Sequence, residues 1–230
     1  MNDLVNEIEK LIWDLNENIS ILIKDLSSEN EIYNLNSTEK LVSASTIKVP
    51  IMLAIFEEVK SGKVNLNDTI LVTQNDILDD TEIFENGENY YSINELINWM
   101  IIESDNTASN VLLKYFGIEN INNYMSQKDM LNIFTLLFSK KILNNELCEK
   151  AINILYNQRC QNQIMRYIFE PVKYAHKTGS LDYLSHDVGV MNIKDKLFYI
   201  GISVWNSSDK DGDKKLIGNI GKIIYYYLNK

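Results

Sequence analysis

The 230-residue sequence predicts an α/β fold of the α+β type: a five-stranded antiparallel sheet flanked by N- and C-terminal helices, with an inserted all-helical lobe. Two observations support this prediction. Apolar residues recur at helical spacing at both ends of the chain and through its middle, whereas strand-like apolar runs form one pair before the middle and a group of three after it. The hydrophobic content of 45% is enough for one well-buried domain.

The first elements are a helix and a hairpin. An apolar stripe at helical spacing predicts the opening helix: Leu4, Ile8, Leu11, Ile12 and Leu15. Residues 19–24 and 32–35 are rich in isoleucine and leucine, and the turn-forming residues 27–30 separate them. This pattern predicts two strands joined by a turn.

The middle of the chain is predicted to be entirely helical apart from an acidic loop at residues 65–91. A first helix follows Lys48, and a second begins at the capping-box pair Ser92 and Glu95. Gly117 is expected to end a third helix, and Ser126 begins a fourth.

The pattern changes to strands after residue 172. Residues 173–178, 187–193 and 197–205 are predicted strands, with a tight connection at residues 194–196, and an amphipathic helix closes the chain at residues 217–228.

This element order predicts one domain over residues 1–230. We expect an α/β lobe made of residues 1–43 and 171–230 and a helical lobe made of residues 44–170. Clefts form where two lobes share an interface, so we expect a binding site there.

Composition excludes several classes of function. The formal net charge is −10, so there is no excess of Lys and Arg to displace counterions from a phosphate backbone, and nucleic acid is not an expected partner. The chain as written begins without a secretory signal and contains no apolar run long enough to cross a bilayer. We therefore expect no membrane partner and a cytoplasmic location as written, or an extracytoplasmic one if the chain is a trimmed mature form.

No metal or cofactor is expected. Cys148 and Cys160 stand in a region predicted to be helical, and their spacing to His176 and His186 is not that of metal ligands. We interpret them as reduced, packed thiols. The expected form is a monomer that binds a small-molecule substrate.

The stretch from Ser45 to Lys48 places a hydroxyl and an amine three residues apart where a polar loop becomes an apolar helix. Residues at i and i+3 share a helix face, so Lys48 can accept the proton of Ser45 provided that its amine is held neutral. The same pattern occurs by chance in many chains, and a serine at a helix start is often only an N-cap.

Two further motifs lie far away in sequence. Ser104-Asp105-Asn106 links two predicted helices, and Lys177-Thr178-Gly179 ends a predicted strand. Together with Ser45 and Lys48 they supply what acyl transfer needs: a nucleophile with its base, a hydroxyl that relays a proton, and a cation that binds a substrate carboxylate.

The three motifs, in this order and on these elements, resemble those of the class A β-lactamases and of the penicillin-binding serine hydrolases related to them. The resemblance covers essentially the whole chain. It implies the fold of that family and a catalytic set in which Ser45 is the acylated nucleophile, Lys48 is its general base and Ser104 relays the proton to the leaving nitrogen.

The resemblance also implies a substrate-binding set. Asn106 would bond the side-chain amide of the substrate, and Lys177 and Thr178 would hold its carboxylate. The oxyanion hole would consist of the backbone N–H groups of Ser45 and Ser180. Ser180 would also contact the substrate as a member of the binding set.

Other polar residues near these motifs have simpler interpretations. His176 precedes Lys177 on a strand and is expected to point to the opposite face as a packed histidine. We interpret His186-Asp187 as a turn and strand start. Arg159 and Arg166 are either solvated or a second carboxylate anchor, and residues 83–84 are expected at the mouth of the cleft.

One part of the family pattern is missing. Class A enzymes contain, between the second and third motifs, a loop with a glutamate that positions the deacylating water. Here only a short segment separates Gly117 from Ser126, and its one carboxylate, Glu119, is expected to belong to a helix connection.

These observations predict a serine hydrolase of the β-lactamase type that opens β-lactam or related amide bonds through an acyl-enzyme on Ser45, with slow deacylation. Two alternatives use the same residues: a D-alanyl-D-alanine peptidase-like enzyme, and a non-hydrolytic penicillin- or peptide-binding sensor.

Overall fold

The computed structural model of the protein describes residues 2–13, 18–81, 83–118 and 123–230. Within these ranges the helices are α1 Asn2–Ile12, α2 Lys48–Lys60, α3 Ile93–Asn98, α4 Asn106–Phe116, α5 Gln127–Phe138, α6 Asn145–Tyr156 and α7 Lys210–Leu228. The strands are β1 Asn18–Asp25, β2 Glu31–Leu35, β3 Leu41–Val42, β4 Thr69–Val72, β5 Asn89–Ser92, β6 Tyr124–Met125, β7 Lys173–Leu181, β8 Leu184–Ile193 and β9 Lys196–Trp205.

The chain divides into two compact units. The sheet unit comprises Met1–Thr46, Asn123–Leu136 and Cys160–Lys230, and the helical unit comprises Ile47–Asn122 and Leu137–Arg159. The lobe boundaries drawn from the sequence remain a prediction.

The sheet unit contains the predicted five-stranded antiparallel sheet, which confirms the fold class. Its strand order is β2-β1-β9-β8-β7, and every neighbouring pair is antiparallel. The connection from β8 to β9 has two residues, because Ile193 pairs with Lys196. Lys194 and Asp195 have φ angles of 51° and 62°, as a two-residue hairpin turn with a right-handed twist requires.

Helices cover the sheet because its central strands are buried and mostly apolar. The strand β1 has five consecutive buried residues, and almost all of β8 and β9 is buried. The helix α7 packs on β8 and β9 and also contacts α1, whose Leu4 and Ile8 are buried in the same core. Leu11 and Ile12 pack against this core, whereas Leu15 lies outside the described residues.

The helical unit has its own apolar core. The helix α2 is its centre and packs against α4 and α6, and α3 packs against α4. The predicted capping box at Ser92 and Glu95 is present, with Ser92 Oγ accepting from the Glu95 N–H and the Glu95 carboxylate accepting from the Ser92 N–H. Among the described residues, no helix combines the length and the apolar character that crossing a bilayer requires.

The prediction of an entirely helical middle is wrong in two places. The strands β4 and β5 pair within the stretch expected to be a loop, and Ile70 and Val72 of β4 are buried. A second short pair joins β3 to β6 just before α5. Both ladders are only two to four residues long and join distant segments, so no local periodicity marks them.

The interpretation of His186-Asp187 as a turn is also wrong, since both residues lie inside β8 and are buried. A two-residue connection lets β7 and β8 pair from Leu181 and Leu184 onward. Both residues are tolerated there because their side-chain polar atoms are hydrogen-bonded.

His186 belongs to a buried chain of hydrogen bonds within the sheet unit. Its Nε2–H donates to the carbonyl of Val42 (2.8 Å), and its Nδ1 accepts from Ser203 Oγ (2.6 Å). Ser203 Oγ in turn accepts from Gln127 Nε2 (2.6 Å), and Gln127 Oε1 accepts from the Tyr199 hydroxyl (2.9 Å). This orientation requires a neutral imidazole. Burial lowers the pKa of His186 from 6.5 to about 4.

This arrangement predicts a pH dependence of stability. The folded pKa of His186 lies below its unfolded value, so its contribution is complete above pH 6.5 and is lost as the pH falls toward 4. The loss amounts to about 3 kcal/mol at about 1.36 kcal/mol per pKa unit. Denaturant unfolding between pH 7 and pH 4.5 measures it, with His186→Gln as the non-titrating comparison. Equal pH dependence of both proteins would contradict the assignment.

Candidate active site

Ser45 lies in a single turn of 3-10 helix, Ala44–Ile47, that leads directly into α2. The alternative that Ser45 caps a helix is wrong, because Ile47 occupies the N-cap position and no side chain caps it. The turn is held by Thr46, whose Oγ1 donates to the carbonyl of Ser43 (2.7 Å). Ala44 has a φ of 46°, an unfavourable left-handed conformation for a residue with a side chain. Ser45 itself is half-buried.

Lys48 is buried in the helical unit with only 4% of its surface exposed. Its Nζ donates to the carbonyl of Ser104 (2.6 Å) and to Asn106 Oδ1 (2.7 Å), and Ser104 Oγ lies 3.4 Å away. The amine of Lys48, from the first motif, is thus hydrogen-bonded to Ser104 and Asn106 of the second motif. Oxygen atoms of Ser104 and Asn106 surround the Lys48 nitrogen and fix its position.

The shape of the second motif explains these contacts. A single π-helical turn, Trp99–Glu103, ends at Ser104, which adopts a left-handed conformation with φ of 59°. Asp105 then caps α4, because its Oδ1 accepts from the Ala108 N–H (2.6 Å). Its Oδ2 accepts from the hydroxyl of Thr81 (2.6 Å). Asp105 therefore has a structural role, because its hydrogen bonds fix the positions of its neighbours Ser104 and Asn106.

A pocket of about 600 Å³ opens beside this motif within the helical unit. Its lining residues are Asp80, Ile83, Trp99, Glu103, Ser104, Asp105, Asn106 and Arg159. Asn106 Nδ2 donates to Asp80 Oδ2 (2.9 Å), so the amide of Asn106 bonds Lys48 on one side and Asp80 on the other.

The third motif lies in the sheet unit, on β7, which is the last strand of the sheet. An edge strand keeps one row of backbone groups outside the sheet ladder, where they can bond a ligand. Lys177 is completely buried, and its Nζ donates to the carbonyl of Thr178 (3.0 Å). Thr178 is also buried, and Ser180 is half-buried.

Gly179 brings this strand against the turn that contains Ser45. A Cβ added at Gly179 would lie 3.0 Å from the carbonyl oxygen of Ser43, 3.1 Å from the backbone nitrogen of Ser45 and 3.2 Å from the Cβ of Ala44. These distances are tighter than ordinary contacts, so the absence of a side chain permits the approach. The backbone nitrogen of Ser45 and the Ser180 end of β7 are thereby close neighbours.

The remaining predicted residues have mixed outcomes. His176 is a packed histidine, as expected: its Nδ1 bonds Asp187 Oδ1 (2.8 Å), and its ring stacks on Tyr174. Arg159 is exposed, lies at the wall of the pocket and pairs with Glu103 (2.6 Å).

Arg166 lies in the sheet unit, where it pairs with Asp211 (3.3 Å). Ile83 lines the pocket, whereas Phe84 is buried and contacts the rings of Tyr91 and Trp99. Glu119 lies outside the described residues.

Sequence reasoning did not find Asp80 or the role of His186 beside the first motif. Asp80 stands in a stretch with several acidic residues, so nothing in its local pattern distinguishes it from a solvated carboxylate. Cys148 and Cys160 are not joined by a disulfide bond, and the described residues contain no cluster of three His, Cys, Asp or Glu side chains that could hold a metal ion.

Comparison with known proteins gives consistent results. The family model described as "Beta-lactamase enzyme family" matches residues 3–228. β-Lactamase VEB-1 of Pseudomonas aeruginosa is 25% identical over 276 residues, which cover 100% of this chain and 92% of that protein.

Solved structures show the same fold. A β-lactamase from Chitinophaga pinensis superposes with a TM-score of 0.90 at 17% identity, covering 99% of this chain and all of the other. A variant of PBP-A, solved as an acyl-enzyme complex with penicillin G, has a TM-score of 0.84 at 21% identity, covering 99% of this chain and 96% of the other.

The match of a single family model to nearly the whole chain, together with a five-stranded antiparallel sheet and a separate helical unit, leads to one conclusion. This protein belongs to the β-lactamase enzyme family and has the fold of a β-lactamase-type hydrolase.

Proposed function

We propose that this protein is a serine hydrolase that opens β-lactam or related amide bonds through an acyl-enzyme on Ser45. The observation that supports it best is the hydrogen bonding of Lys48 to Ser104 and Asn106, 56 and 58 residues further along the chain. In acyl transfer a proton must move from the nucleophile to the leaving nitrogen. An amine buried beside a serine hydroxyl can accept this proton and pass it on.

In the proposed reaction, Ser45 Oγ attacks the amide carbonyl carbon while its proton passes to Lys48 Nζ. The C–N bond then breaks, and the proton reaches the leaving nitrogen by way of Ser104 Oγ. Lys48 must begin this step as a neutral amine, and its bonds to oxygen acceptors hold its nitrogen in place. The backbone N–H groups of Ser45 and Ser180 would stabilise the oxyanion, typically a contribution of about 3–4 kcal/mol per donor.

The binding roles follow from charge and position. Lys177 and Thr178 would hold the carboxylate of the substrate, since a buried cation on an edge strand is a strong partner for an anion. Asn106 Nδ2 has two N–H groups, of which Asp80 accepts one, so the second can bond the side-chain carbonyl of a substrate.

Covalent trapping tests the nucleophile. Incubation with a penicillin is expected to raise the intact mass of the protein by one penicillin molecule, because ring opening retains both halves of the β-lactam. Ser45→Ala should abolish the adduct, and Lys48→Ala should suppress it because alanine cannot take the proton. Thr46→Ser is a matched control in the same turn. An adduct of undiminished yield in Ser45→Ala would exclude Ser45 as the nucleophile.

Gly179→Ala tests the oxyanion hole. The added Cβ must displace the Ser43–Ser45 backbone by a few tenths of an ångström, so the donors shift while the sheet stays intact. We expect acylation to slow by about tenfold or more, because misplacement by a fraction of an ångström is costly in a preorganised site. The unfolding temperature, measured in parallel, should change by only a few degrees. Acylation at the rate of the unsubstituted protein would contradict the proposed position of the donors.

The second half-reaction is expected to be slow. Deacylation needs a base within hydrogen-bond reach of the attacking water. The family's loop glutamate has no counterpart in the short segment between Gly117 and Ser126. General-base assistance contributes about 10²–10⁴-fold, so its loss would leave a long-lived ester on Ser45 while acylation proceeds.

A chromogenic β-lactam separates the alternatives. We expect a burst of one equivalent of product followed by a slow steady state, with the acylated protein detectable by mass spectrometry minutes later. Fast linear turnover without an accumulated adduct would contradict slow deacylation and would assign the second base role to Lys48. A burst with no later turnover would favour a sensor, and release of D-alanine from a D-alanyl-D-alanine peptide would favour a peptidase.

A further inference from the structure

Of the three carboxylates that line the pocket beside the second motif, only Asp80 is both exposed and without a paired cation in the described part of the chain. Arg159 and Glu103 form an ion pair (2.6 Å). The carboxylate of Asp105 accepts from a backbone N–H and from a hydroxyl and is buried. Asp80 is exposed, and its bond in the described ranges is to the neutral amide of Asn106 (2.9 Å).

The amide of Asn106 places Asp80 relative to the substrate. Asn106 Oδ1 accepts from Lys48 and its Nδ2 donates to Asp80, so both ends of the amide are oriented. In the proposed function the second N–H of Nδ2 bonds the side-chain carbonyl of the substrate. Asp80 Oδ2 lies 2.9 Å from the same Nδ2, so a substituent on the carbon next to that carbonyl would be within reach of the Asp80 charge.

We propose that Asp80 is a specificity-determining residue that selects substrates with a cationic amine next to the acyl side-chain carbonyl. This inference rests on the proposed function, because it uses Asn106 as the residue that binds that carbonyl. An exposed carboxylate and an ammonium group attract each other weakly, so the selectivity is a preference of about two- to fivefold in rate.

Three penicillins with one nucleus and different α-substituents measure this preference. Ampicillin has an α-ammonium group, benzylpenicillin has hydrogen and carbenicillin has a carboxylate at the same carbon. We expect second-order acylation rate constants to fall in that order and the differences to shrink in 0.5 M NaCl, because salt screens exposed charges. Competition against a fluorescent penicillin gives each rate constant.

Substitution of Asp80 separates charge from structure. Asp80→Asn keeps an oxygen acceptor for Asn106 Nδ2 but removes the charge, so the rate ratio of ampicillin to benzylpenicillin should fall to about one. Asp80→Lys should invert the order in favour of carbenicillin. Asp79→Asn removes a neighbouring exposed charge that does not line the pocket and should retain the preference.

The outcomes distinguish the two proposals. Equal rates for the three penicillins in the unsubstituted protein, or an unchanged preference in Asp80→Asn, would overturn the role of Asp80 while leaving the proposed function intact. Absence of acylation by all three would overturn the proposed function, and the role of Asp80 with it.

Discussion

Burial of the Lys48 amine is the constraint on which the helical unit depends. Burying the nitrogen of a lysine without hydrogen-bond partners costs a few kcal/mol, so the chain must supply oxygen acceptors at that point. The carbonyl of Ser104 and the amide of Asn106 supply them. To present that carbonyl, Ser104 adopts a left-handed conformation that costs about 1–3 kcal/mol, after a π-helical turn that ends there. The strained turn and the buried amine therefore stabilise each other.

The sheet unit positions Ser45 by backbone contacts. Ala44 is in a left-handed conformation, and the absence of a side chain at Gly179 lets β7 approach the same turn. The carbonyl of Val42, three residues before Ser45, accepts from a buried neutral histidine that is itself oriented through Ser203. Such a network fixes the direction of the chain entering the turn.

Negative charge around the helical pocket has two physical roles. Asp105 is buried, accepts from an N–H and a hydroxyl, and holds the second motif in shape. Asp80 is exposed and accepts from an amide that also accepts from Lys48. An aspartate is thus structural where it is buried and hydrogen-bonded, as at Asp105. At Asp80 the carboxylate is exposed, so its attraction for a charged substrate is weakened by solvent but can still influence which substrate binds.

The sequence by itself determined the sheet, the terminal helices, the capping box at Ser92 and the three motifs, because each depends on neighbours in the chain. It did not reveal the β4–β5 ladder, the burial of His186 inside β8 or the bond between Asp80 and Asn106. Those features were decided only by the tertiary structure. Each depends on contacts between segments that are far apart in the chain, and local hydrophobic periodicity contains no information about such contacts.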